Sequence, residues 1–126
     1  MMGCDIHGFV EVRQHNFWEG IINLNYFDRF YHYFCKIGGV RCYDDNPSCE
    51  TDRGLPEDIS IPTKELYKEQ KIDAHSETWL TTNEFLKAVK CVDKSSKWWV
   101  ALESMVRTLE TIFGNENVRI VIWFDN

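Results

Sequence analysis

The sequence predicts an α+β fold: a single domain in which an antiparallel sheet, including strands at both ends of the chain, is packed with helices. Three observations lead there. Residues 6–13 alternate with period two, with Ile6, Gly8, Val10 and Val12 on one face and His7, Phe9, Glu11 and Arg13 on the other. Residues 118–124 alternate in the same way, carrying Val118, Ile120, Ile122 and Phe124 on one face. Between them, residues 96–113 repeat at helical spacing. Trp98, Leu102, Met105, Leu109 and Ile112 form an expected core stripe, widened by Trp99, Val106 and Phe113. The two alternating segments are expected to pair within one sheet, setting Val10 and Val12 against Ile120 and Ile122.

The remaining elements follow from turn and cap chemistry. Gln14-His15-Asn16 is turn-forming, and the aromatic and β-branched stretch 17–26 completes a hairpin. Asp28 is placed to cap a helix over 29–37 whose apolar face is Phe30, Tyr33, Phe34 and Ile37. Gly38-Gly39 ends it. Residues 40–62 show little periodicity and carry the loop sequences Asp44-Asp45-Asn46-Pro47-Ser48 and Arg53-Gly54-Leu55-Pro56-Glu57-Asp58. Thr63 is expected to cap a short helix through Glu69, and residues 70–78 read as a polar loop. Thr81-x-x-Glu84 is a capping-box pattern, followed at helical spacing by Phe85, Leu86 and Val89.

A chain of 126 residues, 44% hydrophobic and 14% aromatic, can bury one substantial core. The net charge of −6 argues against a nucleic-acid duplex as partner, because duplex binding needs a basic footprint. A small anion is compatible with that balance, since a few local arginines serve one phosphate group. Five cysteines, an odd number, with neither a leader pattern nor an apolar run of membrane length, predict a soluble cytoplasmic protein with free thiols. A zinc site from Cys4, His7, Cys42 and Cys49 is conceivable, but their spacing lacks two short ligand pairs, so buried free thiols are expected. Cys35 and Cys91 read as small core residues.

Candidate site residues concentrate at loops and element ends. Asp5 and His7 lie on one face of the first strand, a carboxylate beside an imidazole. Arg29, Arg41 and Arg53 stand at a helix start, a loop entrance and a turn. Guanidinium forks suit phosphate oxygens, and nearby aromatic rings suit a base. His75, Ser76 and Trp79 precede the capped helix, whose N-terminus favours an anion. With Asp28, these nine residues are the expected ligand-binding set. No catalytic residue, metal ligand or cofactor is assigned: no serine stands in a Gly-x-Ser-x-Gly elbow, and no cysteine has an evident base.

Two resemblances bear on function. Asp5-Ile6-His7-Gly8 followed by Asn25-Tyr26-Phe27-Asp28-Arg29 is similar to the opening of calcineurin-type metallophosphoesterases, which hold two metals with Asp, Asn and His. Here Asn25 stands where a metal-bridging Asp is needed, and neither the Asn-His nor the His-x-His pair follows. A wider resemblance runs through Met2-Gly3-Cys4-Asp5-Ile6-His7, Asp28-Arg29-Phe30-Tyr31 to Gly38-Gly39-Val40-Arg41, and Arg53-Gly54-Leu55-Pro56-Glu57-Asp58-Ile59-Ser60. It continues through Asp73-Ala74-His75-Ser76, Trp79-Leu80-Thr81, and Val118-Arg119-Ile120 to Trp123-Phe124-Asp125-Asn126. These blocks resemble a family of small phage and prophage proteins of uncharacterised activity. The chain departs from that pattern at Phe30-Tyr31-His32-Tyr33-Phe34, where relatives read Asn-Tyr-Asp-Leu-Phe. The resemblance implies an accessory gene of a phage or prophage. The expectation is an anti-defence protein that sequesters a small phosphate-bearing nucleotide signal as a homo-oligomer in the host cytoplasm, without membrane or duplex partners. The alternatives are a metal-dependent phosphoesterase, toward which the reading leans less, and a protein–protein inhibitor of a host defence factor.

Overall fold

The computed structural model describes residues 3–90 and 92–126. Four strands, β1 (Asp5–Gln14), β2 (Phe17–Asn23), β3 (His75–Thr81) and β4 (Val118–Asp125), form one antiparallel sheet in the order β2-β1-β4-β3. The helices are α1 (Tyr31–Gly38), α2 (Ile61–Gln70), α3 (Thr82–Ala88) and α4 (Lys97–Phe113). The terminal strands are the central pair, with Val10 opposite Ile120 and Val12 opposite Val118. Gly8 makes their closest approach possible: a Cβ there would lie 1.9 Å from the Val121 carbonyl oxygen, at a φ of 132°.

Alternation decides what each face of the sheet meets. Ile6, Val10, Val12, Leu80, Ile120, Ile122 and Phe124 form one core with Phe34 and Ile37 of α1, Phe85 of α3 and Trp99, Leu102 and Val106 of α4. The opposite face of the central pair carries His7, Glu11, Arg119 and Trp123 and is covered by α2. Tyr67 packs edge-on against Trp123, and Trp123 donates to Gln70 Oε1.

Local chemistry accounts for most boundaries. His15 and Asn16, both at positive φ, close the hairpin as a two-residue turn. Thr81 and Glu84 form the reciprocal capping box, Ser96 caps α4, and Gly39 ends α1 in the left-handed conformation.

Several expectations are corrected. Residues 75–81, read mostly as loop, form edge strand β3, because Thr78 and Leu80 turn into the core beside β4. Asp28 does not cap α1, which begins at Tyr31 without a side-chain cap. Ser60, not Thr63, caps α2. Cys35 and Cys42 are joined as a disulfide, so these two are not free thiols; Cys4 and Cys49 are free. The expectation for Cys91 falls outside the described residues. In α4, Leu102 is fully buried, whereas Trp98 and Ile112 are 50% and 65% exposed, so the expected stripe is only partly core. No helix among the described residues is long and apolar enough to cross a membrane.

Candidate functional site

The paired ends of β1 and β4 gather much of the expected site. Asp5 lies directly opposite Asp125, and His75 of β3 lies opposite Phe124. Asp5 accepts two hydrogen bonds from Arg29, from Nε at 2.6 Å and Nη2 at 3.1 Å. That guanidinium holds the Asp5 carboxyl below the usual carboxylate range, against a smaller opposing effect of burial. Arg29 also packs against Gly3, where any Cβ would collide with the guanidinium. Beside it, the Cys4 amide donates to the Tyr31 hydroxyl at 3.0 Å, and the Arg41 guanidinium lies over the Tyr31 ring, 5.1 Å from its centroid. Asp5, Arg29, Tyr31 and Arg41 are thus linked around the start of β1. Burial pushes the neighbouring Cys4 thiol up, and Arg41 opposes that shift.

Around Arg41 the surface opens into a cleft of about 570 Å³ lined by Tyr31, His32, Cys35, Arg41, Cys42, Tyr43, Asp44 and Asp45. Its walls are built from Tyr31, His32 and Cys35 in the first turns of α1 and from the loop that the disulfide ties to that helix. Arg41 and Tyr43, the residues flanking Cys42, both adopt positive φ, 59° and 45°. Non-glycine residues seldom hold that conformation, and clusters of it occur where a fold fixes side chains for function. Tyr43 is 75% exposed and its hydroxyl lies 3.4 Å from Arg41 Nη1. On the far side of the cleft, Lys36 pairs with Asp45 at 2.8 Å.

His7 lies outside this cleft, buried on the face of the sheet that carries Trp123. Its Nδ1 lies 2.6 Å from Asn25 Oδ1, its ring stacks on Trp123, and Nε2 is 3.1 Å from Asp125 Oδ2. The last contact has the distance of an ion pair without hydrogen-bond geometry, so Nε2 counts among the buried polar atoms lacking a hydrogen bond. The arrangement orients the imidazole firmly. His75 is held by Ser76 Oγ at 3.0 Å and Asn126 Oδ1 at 2.7 Å, and it stacks on Phe124; Ser76 itself has a φ of 58°.

Three expected members lie elsewhere. Asp28 accepts from Ser96 Oγ with both carboxylate oxygens, and its carbonyl accepts from Trp99 Nε1, which fastens the start of α4. Arg53 donates to both carboxylate oxygens of Glu84 and to the Trp79 carbonyl, while its guanidinium covers the Trp79 ring at 4.8 Å. The pairing holds Glu84 down at about 2 and joins the loop after residue 50 to the start of α3. Arg53 and Trp79 therefore belong to an interlocked group at the outer edge of the sheet.

One charged cluster escaped the sequence reading. The fully buried Glu11 carboxylate accepts from Arg119 Nε at 2.8 Å, the Ser60 amide at 2.8 Å and Thr63 Oγ1 at 2.6 Å. Arg119 also donates to Asp58 and lies 3.8 Å over Trp18. The only sequence signal was a pair of charged residues in alternating strands, Glu11 and Arg119, which the strand register sets opposite each other. This cluster pins the loop before α2 to the sheet and uses up its own charges.

Among the described residues, no group of three or more His, Cys, Asp or Glu side chains is placed to hold a metal ion. Comparison with protein-family models, with curated proteins and with solved structures finds no match.

Proposed function

We propose that the chain is a binding protein for a small phosphate-bearing nucleotide, and that the ligand occupies the cleft beside Arg41. The observation that carries this reading is the combination of a guanidinium, three exposed or half-exposed rings and a cleft of about 570 Å³ in one place. Cavities of roughly 300–1,000 Å³ suit ligands of nucleotide size. Arg41 receives the phosphate, with Tyr31 supporting its guanidinium and Arg29 adjoining; His32 and Tyr43 offer ring faces to the base. The carboxylates of Asp44 and Asp45 oppose phosphate at the far end and suit ribose hydroxyls as acceptors. This polarity orients the ligand along the cleft.

Sequestration rather than turnover is the reading these residues support, since the cleft brings together groups that grip and stack. The phage or prophage setting implied by the sequence blocks makes an immune nucleotide signal the ligand of choice, captured in the host cytoplasm. The experiment is to incubate the pure protein with a panel of cyclic and linear nucleotides and to analyse the pool before and after heat denaturation. Depletion followed by intact recovery supports the sponge. Recovery of a cleaved product transfers the case to a phosphoesterase.

A further inference from the structure

Helix α4 carries two parallel apolar stripes; the fold buries one and engages the other only in part, through Met105 against the core and one contact of Trp98 with the Phe27 ring at 5.3 Å. Trp99, Leu102, Val106, Leu109 and Phe113 face the core. Trp98, Ala101, Met105, Thr108 and Ile112 form a second stripe at alternating spacings of three and four, the repeat of a coiled-coil seam. All but the half-buried Met105 are exposed. The stripe spans about 21 Å of helix at 1.5 Å per residue. It continues into a groove of about 320 Å³ where Ile21 and Ile22 of β2 meet Met105 and Leu109.

We propose that this stripe is the dimer interface, occupied by the same stripe of a second copy in antiparallel orientation. The alternation of large and small side chains is complementary to itself in an antiparallel pair and not in a parallel one. Setting first against fourth heptad positions places Trp98 on Thr108 of the second copy and Met105 on its Ala101. Each pair sets a large residue on a small one, and the two-fold axis supplies each twice. A parallel pair would set Trp98 on Trp98 and Ala101 on Ala101.

Charge fits the same occupant. A protein of net charge −6 repels its own copies except where acids are absent, and the stripe holds none. The two glutamates of α4 are turned away and engaged within the domain: Glu103 by Tyr33 and Lys94, Glu110 by Thr82. The hydroxyl of Thr108 donates back to the Ser104 carbonyl at 3.0 Å, so it adds no unmet polar group. Lys97 flanks the seam at one end, and the antiparallel arrangement places it near Thr111 of the second copy, apart from its own counterpart.

Sedimentation equilibrium of the full chain over a concentration series tests this. The wild type should dimerise with a Kd of about 10 μM or tighter. Ala101→Lys and Thr108→Lys, both at exposed helical positions, should weaken the dimer at least tenfold with unchanged circular dichroism, while Arg107→Glu on the outer face leaves it intact. Hydrogen exchange on the wild type alone gives a second reading, with α4 amides gaining protection as concentration rises. A wild type that stays monomeric at about 100 μM overturns the proposal. So does a dimer insensitive to both lysines, concentration-dependent protection confined to another surface, or a monomer whose stripe binds a different protein.

Discussion

Removing Arg53 should damage the fold, although a loop arginine in an exposed turn would ordinarily be dispensable. Its guanidinium is largely covered and forks onto Glu84, which also closes the capping box of α3. Glu84 is drawn from 4.5 to about 2, first by that hydrogen-bonded pair and then by the Thr81 backbone. At about 1.4 kcal/mol per tenfold, the shift corresponds to roughly 3 kcal/mol of stability at neutral pH. The Glu84 side chain is 30% exposed, and solvent screening lowers the expected value to about 1–3 kcal/mol. Because the folded value lies below the unfolded one, the contribution is complete above about 4.5 and fades as pH falls toward 2. Urea unfolding of wild type, Arg53→Ala, Glu84→Gln and the double variant, each at pH 7 and at pH 2.5, measures it. Each single variant should lose stability at pH 7, the double variant should lose less than the sum, and the differences should shrink in acid. An Arg53→Ala protein as stable as wild type, or a coupling that persists undiminished in acid, would refute the reasoning.

Other perturbations separate core from surface. Leu102→Ala should cost about 2–5 kcal/mol by chemical denaturation, whereas Arg107→Ala on the exposed outer face of the same helix should cost under about 0.5 kcal/mol; equal losses would contradict the burial of Leu102. Glu11→Ala removes the buried acceptor of Arg119 Nε, the Ser60 amide and the Thr63 hydroxyl, leaving Arg119 only its pairing with Asp58, and should cost about 3–5 kcal/mol; a thermal scan showing no loss would mean that solvent reaches the cluster. Replacing Cys35 and Cys42 with serine opens the short loop between them and should cost about 2–3 kcal/mol, and equal stability of the reduced wild type and the variant would confirm that the bond is the source.

Much of the fold was legible because it rests on short-range rules. The alternation of β1 and β4, the Thr81–Glu84 box, the Gly39 stop and the length of α4 are all local. What sequence could not supply was partner choice. Strand β3 was missed because His75-Ser76-Glu77 is polar, and its place in the sheet comes from Thr78 and Leu80 meeting β4. Arg29, Arg41 and Arg53 look alike as residues beside loops. Only the fold shows that Arg53 is locked onto Glu84 while Arg29 and Arg41 sit together around Tyr31. Asp28 was expected to cap the helix just after it, yet its carboxylate meets Ser96, far along the chain. The Cys35–Cys42 bond was hidden because an odd cysteine count does not say which pairs approach.

The most direct test of the proposed function is a heteronuclear NMR titration of the wild-type protein with the nucleotide panel, read residue by residue. Binding in the cleft predicts saturable shifts at Arg41 Nε–H and at the amides of Tyr31, Cys42 and Tyr43, with Arg53 and Trp79 unmoved. Shifts centred on Arg53 and Trp79, or no saturable shift with any nucleotide, would contradict it.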